Sequence, residues 1–227
     1  MSFLDRVFAD GFALAPSVLA KTEITTILGA LGESTLRRSR AGARHILSHP
    51  AVAAVASDER LLTLARAVLG DEAFPFRATL FDKSATANWL VAWHQDTALP
   101  LQERREVAGW GPWSTKDGIH YAHAPAVALE RVLALRLHLD DSIAENGPLR
   151  VLPGTHVLGV LTDEQMRELA STKKAVECLT SSGGVLAMLS LLVHGSSKSQ
   201  CELPRRVLHI EYAASKALGD GLELAIA

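Results

Sequence analysis

The feature that most constrains the fold is a series of seven short segments after Gly70, each rich in apolar, β-branched or aromatic residues and separated by turn-forming residues. The segments are 73–83, 88–96, 132–141, 149–156, 175–179, 184–194 and 205–213. Short strands in such a series are typical of an all-β sandwich or barrel. We therefore predict a mainly β fold with flanking helices.

Helices are predicted where apolar residues recur at helical spacing. These stretches are 17–31, 50–69, 126–132 and 162–173. Ser17 is the predicted cap of the first helix and Gly32 its stop, while Pro50 suits the first position of the second. The fourth stretch begins with Thr162 and Gln165, which have the spacing of a capping box.

The chain is predicted to be one domain over residues 1–227, because all-β folds of this length commonly form a single unit. Its helical part, 1–70, is expected to pack on a β core, 73–215. Residues 100–125 carry three glycines and two tryptophans between prolines, which predicts a long loop acting as a lid. The basic connector 37–45 is interpreted as a solvated loop rather than an anion site.

Charge and hydropathy exclude two classes of partner. A net charge of -2 lacks the basic field that proteins tracking nucleic-acid phosphates need, so we expect no nucleic acid partner. No stretch reaches the ~18 apolar residues that span a bilayer, and Asp5 and Asp10 precede the N-terminal apolar run, so we expect neither a membrane span nor a signal peptide. Cys178 and Cys201 are too few for a disulfide framework, which fits a cytoplasmic protein.

A candidate metal site is indicated by His94 and Asp96, which are two residues apart and would leave one face of a strand together. Gln95 would point to the other face. His194 follows the most apolar run of the chain and is either a third ligand or a satisfied core histidine. Two histidines and one carboxylate form the facial triad of iron(II) oxygenases, whereas zinc favours tetrahedral closure with thiolates or a third histidine.

A candidate anion site is indicated by Arg205 and Arg206 at the start of the last predicted strand. A hairpin between that strand and the preceding one would bring an arginine beside His194, where a guanidinium can bind a carboxylate through two hydrogen bonds. Adjacent strand residues face opposite sides, so only one of the two arginines can point inward. The alternative is that both are solvated on an edge strand.

Four segments together resemble the phytanoyl-CoA dioxygenase family of iron(II)- and 2-oxoglutarate-dependent oxygenases: FDKSATANWLVAWHQDTALP, GWGPWSTKDGIHYAHAP, LHLDDSIAENGPLRVLPGTH and LLVHGSSKSQCELPRRVLHIEY. The resemblance spans about Phe74 to Tyr212. It implies a double-stranded β-helix, a cupin-like jelly roll, in which His94, Asp96 and His194 hold the metal. By the same match, Arg205 rather than Arg206 grips the distal carboxylate of 2-oxoglutarate, assisted by Ser196; Lys83 and Asn88 stay unassigned.

The resemblance also implies the reaction. Iron(II), 2-oxoglutarate and O2, with ascorbate as an assisting factor, would oxidise an unactivated carbon of a small molecule and release succinate and CO2. The carboxylate of Asp96 favours hydroxylation, because relatives that halogenate lack a carboxylate at that ligand position. An acyl-CoA substrate is disfavoured, since no basic or Gly-rich element that would cradle a nucleotide diphosphate is present.

Other side chains are assigned less specific roles. Candidate substrate or lid contacts are Trp113, Trp110, Gln95, His120, Tyr121 and His123. His138 is interpreted as a packed strand residue, and His45, His49 and His209 as structural or exposed. Two alternative functions stay open: a cupin-like metal-dependent isomerase or hydrolase, and a non-catalytic binding module. The assembly is expected to be a monomer or a homodimer.

Overall fold

The computed structural model describes residues 1–34, 36–37, 39, 42–84 and 87–227. The helices are α1 Phe3–Asp10, α2 Lys21–Glu33, α3 Pro50–Ala56, α4 Glu59–Leu69, α5 Ala126–Leu129 and α6 Asp163–Thr172. The strands are β1 Phe12–Ala15, β2 Gly42–Ala43, β3 Phe74–Lys83, β4 Val91–His94, β5 Ala98–Leu101, β6 Trp113–Lys116, β7 Ile119–His123, β8 Val132–His138, β9 Leu149–Val151, β10 Val176–Glu177, β11 Val185–Leu189, β12 His194–Ser196, β13 Arg205–Ala213, β14 Ala217–Gly219 and β15 Leu222–Glu223.

Two antiparallel sheets form the core, and the chain alternates between them. The larger sheet has the order β1-β11-β8-β13-β3-β2, and the smaller has the order β10-β9-β12-β4. Successive core strands therefore fall in opposite sheets: β3 and β4, β8 and β9, β11 and β12, and then β13. This alternation is the double-stranded β-helix that the sequence resemblance implied, so the predicted fold class is confirmed.

The helical N-terminal region covers the outer face of the larger sheet. One apolar cluster joins residues of α1 to α4 with the outward residues of β3, β8, β11 and β13. Tyr212 extends this contact, because its hydroxyl donates a hydrogen bond to the carbonyl oxygen of Ala56 at 2.9 Å. The opposite face of the sheet is left to line the interior. That the whole chain forms one domain stays a prediction.

The N-terminal helices differ from those predicted. Helix α2 begins after Ala20, whose backbone N–H donates to the Glu23 carboxylate at 2.7 Å, whereas Ser17 has a φ of 56° and lies outside the helix. Gly32 lies within α2 instead of ending it. The predicted helix over 50–69 is two helices, since Asp58 caps α4 through its side chain.

Helix α1 was not predicted, and neither was strand β1. Helix α1 begins at a capping box in which the side chains of Ser2 and Asp5 exchange hydrogen bonds with each other's backbone N–H groups. The predicted box of Thr162 and Gln165 does begin α6, and the structure confirms it. Three residues of the connector 37–45, at positions 38, 40 and 41, lie outside the described residues.

The prediction that residues 100–125 form a long loop is wrong, because this segment contains strands. Strands β5, β7 and β6 form a three-stranded antiparallel sheet there. Asp117 and Gly118, with φ of 50° and 83°, connect β6 to β7 in the conformation that a two-residue hairpin turn requires. An Asp-Gly pair between short strands is a hairpin signal, so the sequence carried this information.

The apolar segment 184–194 is also divided, where one strand was predicted. Strand β11 ends at Leu189, and Leu192 donates its backbone N–H to the Leu189 carbonyl at 3.0 Å in a turn. His194 then begins β12 in the smaller sheet. No helix in the described part of the chain has the length and hydropathy of a membrane span.

Candidate metal centre

The three predicted metal ligands converge at the ends of two paired strands. His94 ends β4 and lies opposite His194, the first residue of β12. Asp96 follows β4, and its carboxylate oxygens lie 3.6 Å from the Nε2 atoms of both histidines. One ligand atom from each residue lies within 4.8 Å of the other two, which is the compactness that a shared metal ion needs.

Backbone carbonyls orient both histidine rings. The Nδ1 atom of His94 lies 2.9 Å from the carbonyl oxygen of Ala92, and that of His194 lies 2.9 Å from the carbonyl oxygen of Leu192. A carbonyl only accepts hydrogen bonds, so each Nδ1 carries the proton. The Nε2 lone pairs are then free to bind a metal. The hydrogen bond from Nδ1 to a backbone carbonyl fixes the tautomer of each ring, as it does in protein metal sites generally.

The electrostatics of the triad favour the ligand forms at neutral pH. Burial opposes ionisation of Asp96, but the two histidines hold the pKa of its carboxyl well below the ordinary value. Burial lowers the pKa of His194 to about 4. Burial also opposes protonation of His94, but the hydrogen bond and charge of Asp96 outweigh it and raise that pKa. Asp96 is therefore a carboxylate and His194 neutral, as a divalent cation requires.

A second group of polar side chains lies in the same interior cavity, where the first residue of β13 faces the last residue of β3. Arg205 is 4% exposed, and its Nε donates to the carbonyl oxygen of Asn146 at 3.3 Å. Lys83, opposite Arg205 in the sheet, donates to the Ser196 hydroxyl at 2.7 Å and to the Ser197 carbonyl at 2.6 Å. Two cations and a hydroxyl thus lie together.

Burial accounts for the titration of both cations. Burial lowers the pKa of Lys83 to about 8, with a further contribution from the charge of Arg205. Burial likewise lowers the pKa of Arg205 to about 10. Within the described ranges, no carboxylate forms an ion pair with either side chain. A buried cationic pair of this kind is stabilised by binding an anion.

Arg206 lies in a different environment from Arg205. Its guanidinium pairs with Asp140 on the outside of the sheet, at 2.8 and 2.7 Å. The hairpin that the sequence suggested between the last two core strands is wrong, because β12 and β13 belong to different sheets. Arg205 and Ser196 instead line one cavity from its two walls.

The cavity has a volume of about 340 Å³ and opens to solvent. Tyr121 and His123, both predicted as candidate contacts, line it. Trp110 and Trp113 are placed differently, because they pack into an apolar cluster beneath the β5–β7–β6 sheet. Of the described residues, His120 also lies outside the cavity wall, 3.4 Å from the Thr115 hydroxyl.

Gln95 has a structural environment at the edge of the cavity. Its amide nitrogen donates to the carbonyl oxygens of Gly159 at 2.9 Å and Leu191 at 2.6 Å. Its amide oxygen accepts the backbone N–H of Leu161 at 2.8 Å. The side chain therefore ties two loops to the metal-binding strand, which agrees with the expectation that it points away from the metal.

Sequence reasoning missed several charged residues of the cavity floor. Arg77 and Glu211 form a buried ion pair, and Arg136 lies 2.9 Å from the Nδ1 of His209. His209 had been interpreted as structural or exposed. The signal was present in the predicted strands, where polar residues alternate with apolar ones that face the helices.

The connector between α2 and α3 was also misjudged in part. Arg44 and His45, at the end of this connector, line the cavity, whereas the prediction placed them in a solvated loop. The Nε2 of His45 lies 2.6 Å from the Tyr121 hydroxyl, and the two rings stack with centroids 5.9 Å apart. Charge in the sequence was not enough to place these residues, because the connector reaches the cavity only through the tertiary fold.

A model of the family described as phytanoyl-CoA dioxygenase (PhyH) matches residues 8–207. The ectoine dioxygenase of Sphingopyxis alaskensis is 26% identical over 187 residues, which cover 73% of this chain and 54% of that protein. The ectoine dioxygenase of Halomonas elongata is 25% identical over 66% of this chain and 46% of its own length. The chain thus spans about half the length of these relatives.

Solved structures show the same fold. The crystal structure of AviO1 from Streptomyces viridochromogenes Tue57 is similar with a TM-score of 0.68 and 24% identity, covering 93% of both chains. The apoform of EctD from S. alaskensis is similar with a TM-score of 0.70 and 22% identity, covering 96% of this chain and 79% of that one.

Proposed function

Because this chain belongs to the phytanoyl-CoA dioxygenase family, we propose that it is an iron(II)- and 2-oxoglutarate-dependent dioxygenase. The proposed reaction oxidises an unactivated carbon of a small molecule, by hydroxylation in the first instance, and releases succinate and CO2. The observation that carries the proposal is that the triad, Arg205 and Ser196 line one cavity, with Lys83 hydrogen-bonded to the Ser196 hydroxyl.

The donor set fits iron(II). His94, Asp96 and His194 offer two neutral nitrogens and one carboxylate oxygen, and no cysteine belongs to the cluster. A facial set of this composition leaves other coordination positions open, as non-haem iron oxygenases require. When bound there, iron(II) would supply the redox chemistry with O2 and 2-oxoglutarate.

The other residues act on the cosubstrate. Arg205 would bind the distal carboxylate of 2-oxoglutarate through charge-assisted hydrogen bonds, and the Ser196 hydroxyl would add one more. Lys83 holds that hydroxyl in place at 2.7 Å and contributes its own charge. The cosubstrate would thereby be fixed in one orientation relative to the triad.

The turn after Asn146 supports this end of the cavity. Gly147 has a φ of 66°, and a side chain there would approach the Ser197 carbonyl oxygen to 2.5 Å. The Asn146 carbonyl oxygen in turn accepts from Arg205. The turn therefore holds the arginine and leaves room for the segment that follows Ser196.

Succinate production tests the proposed function. The iron-loaded chain is incubated with 2-oxoglutarate and a library of small metabolites, and succinate is quantified. We expect succinate that depends on iron and 2-oxoglutarate and falls to background in His94→Ala. The matched control is His120→Ala, a histidine outside the cavity wall, which should keep the wild-type rate. Full turnover by His94→Ala, or succinate formed without added 2-oxoglutarate, would overturn the proposal.

A further inference from the structure

The cavity is lined by residues from Arg205, at the start of β13, to Glu211, near its end. Along β13, Arg205, Val207, His209 and Glu211 alternate inward, opposite Lys83, Phe81, Thr79 and Arg77 of β3. Glu211 is six positions after Arg205, a span of about 20 Å along an extended strand. The proposed cosubstrate group occupies the Arg205 end. The Arg77 end, which leads to the opening, is available for the molecule that is oxidised.

The Arg77 end is bounded by a small polar cluster. Arg77 and Glu211 neutralise each other in a buried pair. The Tyr121 ring lies between two cations, 5.4 Å from the guanidinium carbon of Arg77 and 4.7 Å from the Nζ of Lys116. His45 contacts the Tyr121 hydroxyl at 2.6 Å. Lys116 and Arg44 complete the wall at the opening, where both side chains are exposed.

Positive charge is in excess over the whole lining. Among the residues that the structure describes, five cationic side chains and two carboxylates line the cavity: Arg44, Arg77, Lys116, Arg136 and Arg205, with Asp96 and Glu211. Iron(II) and the dianion 2-oxoglutarate would cancel each other's charge, so binding both leaves the excess of three positive charges unchanged. A concave site of one sign concentrates ligands of the opposite sign.

Two of these cations have no ion-pair partner at the opening. Over the part of the chain that the structure describes, no carboxylate lies in an ion pair with Arg44 or Lys116. Partial burial lowers the pKa of Lys116, and repulsion from the positive charges of Arg44 and Arg77 lowers it further. Arg136, deeper on the floor, is 6% exposed, and its Nε is buried without a hydrogen-bond partner. The buried Nε of Arg136 lacks a hydrogen-bond partner, which is costly unless an anion compensates it.

We propose that the molecule oxidised at this site is a small anion whose carboxylate or phosphate group is bound at the opening by Arg44 and Lys116. This inference rests on the proposed function, because it names the class of substrate for the same cavity. Its carbon skeleton would extend inward over Tyr121 and past Arg136 toward the triad. The depth of the cavity favours a small molecule over a flat macromolecular surface.

Ligand-observed NMR with matched probes tests the proposal. The full chain is loaded with Zn(II), which is diamagnetic, and saturated with 2-oxoglutarate. Dissociation constants are then measured for benzoate, phenyl phosphate and neutral benzamide. We expect at least one anion to bind about tenfold or more tighter than benzamide, the value of one charge-assisted hydrogen bond. The anion that binds more tightly than benzamide identifies the charged group of the substrate. Its affinity should weaken with added salt.

Matched variants assign the effect to the opening. Arg44→Gln combined with Lys116→Gln should abolish the preference for the anion, and both residues are exposed, so folding is retained. Arg104→Gln is the control, because Arg104 is an exposed cation outside the cavity lining that pairs with Glu106. Equal binding of the three probes to the wild type, or a preference that survives in the double variant, would overturn the inference.

The same samples separate this inference from the proposed function. Binding of 2-oxoglutarate to the Zn(II)-loaded chain is measured first. If 2-oxoglutarate fails to bind, the proposed function fails. If 2-oxoglutarate binds and the probes show no anion preference, only the substrate class is overturned.

Discussion

The two faces of β13 have opposite chemistry, although their residues alternate along a single strand. Leu208, Ile210 and Tyr212 face outward into the apolar cluster beneath the helices. Arg205, His209 and Glu211 face inward and line the cavity. Burying apolar side chains stabilises the fold, whereas burying charges costs free energy unless they are paired. The outer face therefore stabilises the fold. The inner face lowers that stability, because its buried charges are arranged for binding.

A substitution on the outer face should have the largest effect on stability. Ile210→Ala removes a fully buried side chain and leaves a cavity against the helices. We expect the free energy of unfolding to fall by about 2–5 kcal/mol, measured by chemical denaturation. At low denaturant, the affinity for 2-oxoglutarate should stay at the wild-type value. Unchanged stability, or a selective loss of 2-oxoglutarate binding, would show that the outer face does not supply the stability of the fold.

A substitution on the inner face should have the reverse pattern. Arg205→Gln removes the guanidinium from the cosubstrate end, and we expect 2-oxoglutarate binding to the Zn(II)-loaded chain to weaken about 100-fold, as for loss of two charge-assisted hydrogen bonds. Stability should be retained, since a desolvated and unpaired cation is removed. Calorimetry measures the affinity. Arg206→Gln is the control on the outer side of the same strand end; an equal loss of affinity there would contradict the assignment.

The inner face of the neighbouring strand β8, where His138 lies opposite Val207 of β13, should also make stability depend on pH. Burial lowers the pKa of His138 to about 3 from an ordinary value of 6.5. Between these two values the unfolded chain binds a proton that the folded chain does not, so stability falls as the pH is lowered through that window. The contribution of one such group is about 1.4 kcal/mol per pH unit.

His138→Leu isolates this contribution. We expect the free energy of unfolding of the variant to decline less steeply between pH 6.5 and 4.5 than that of the wild type, by about 1 kcal/mol per pH unit. The measurement is denaturant unfolding at a series of pH values. His120→Leu, at a half-buried position of β7 outside the cavity wall, should keep the wild-type slope. Identical slopes for the wild type and His138→Leu would contradict the claim that burial of His138 makes stability depend on pH.

The sequence predicted best those elements whose local pattern agrees with their tertiary environment. Strands β3, β8 and β13 lie within the predicted segments, because their outward residues are apolar at every second position. His94 and Asp96 were singled out because a strand places alternate residues on one face. The choice of Arg205 over Arg206 required the family resemblance, since spacing alone allows either residue to point inward.

Other elements could not be predicted because the signal is not local. The break within 184–194 depends on a change of sheet, which a continuous apolar run does not reveal. Arg44 and His45 reach the cavity because β2, which precedes them, pairs with β3 at the edge of the larger sheet, a contact distant in sequence. By contrast, the β6–β7 hairpin was predictable from Asp117 and Gly118. The interpretation of 100–125 as a long loop did not use this turn signal.

Anaerobic titration of iron(II) into the chain in the presence of 2-oxoglutarate tests whether the triad and the cosubstrate hold iron together. Chelation of iron(II) by the keto acid produces a visible charge-transfer band. We expect the band to saturate at one iron per chain in the wild type, to be absent in His94→Ala and to be retained in His120→Ala. No band in the wild type, or an undiminished band in His94→Ala, would contradict it.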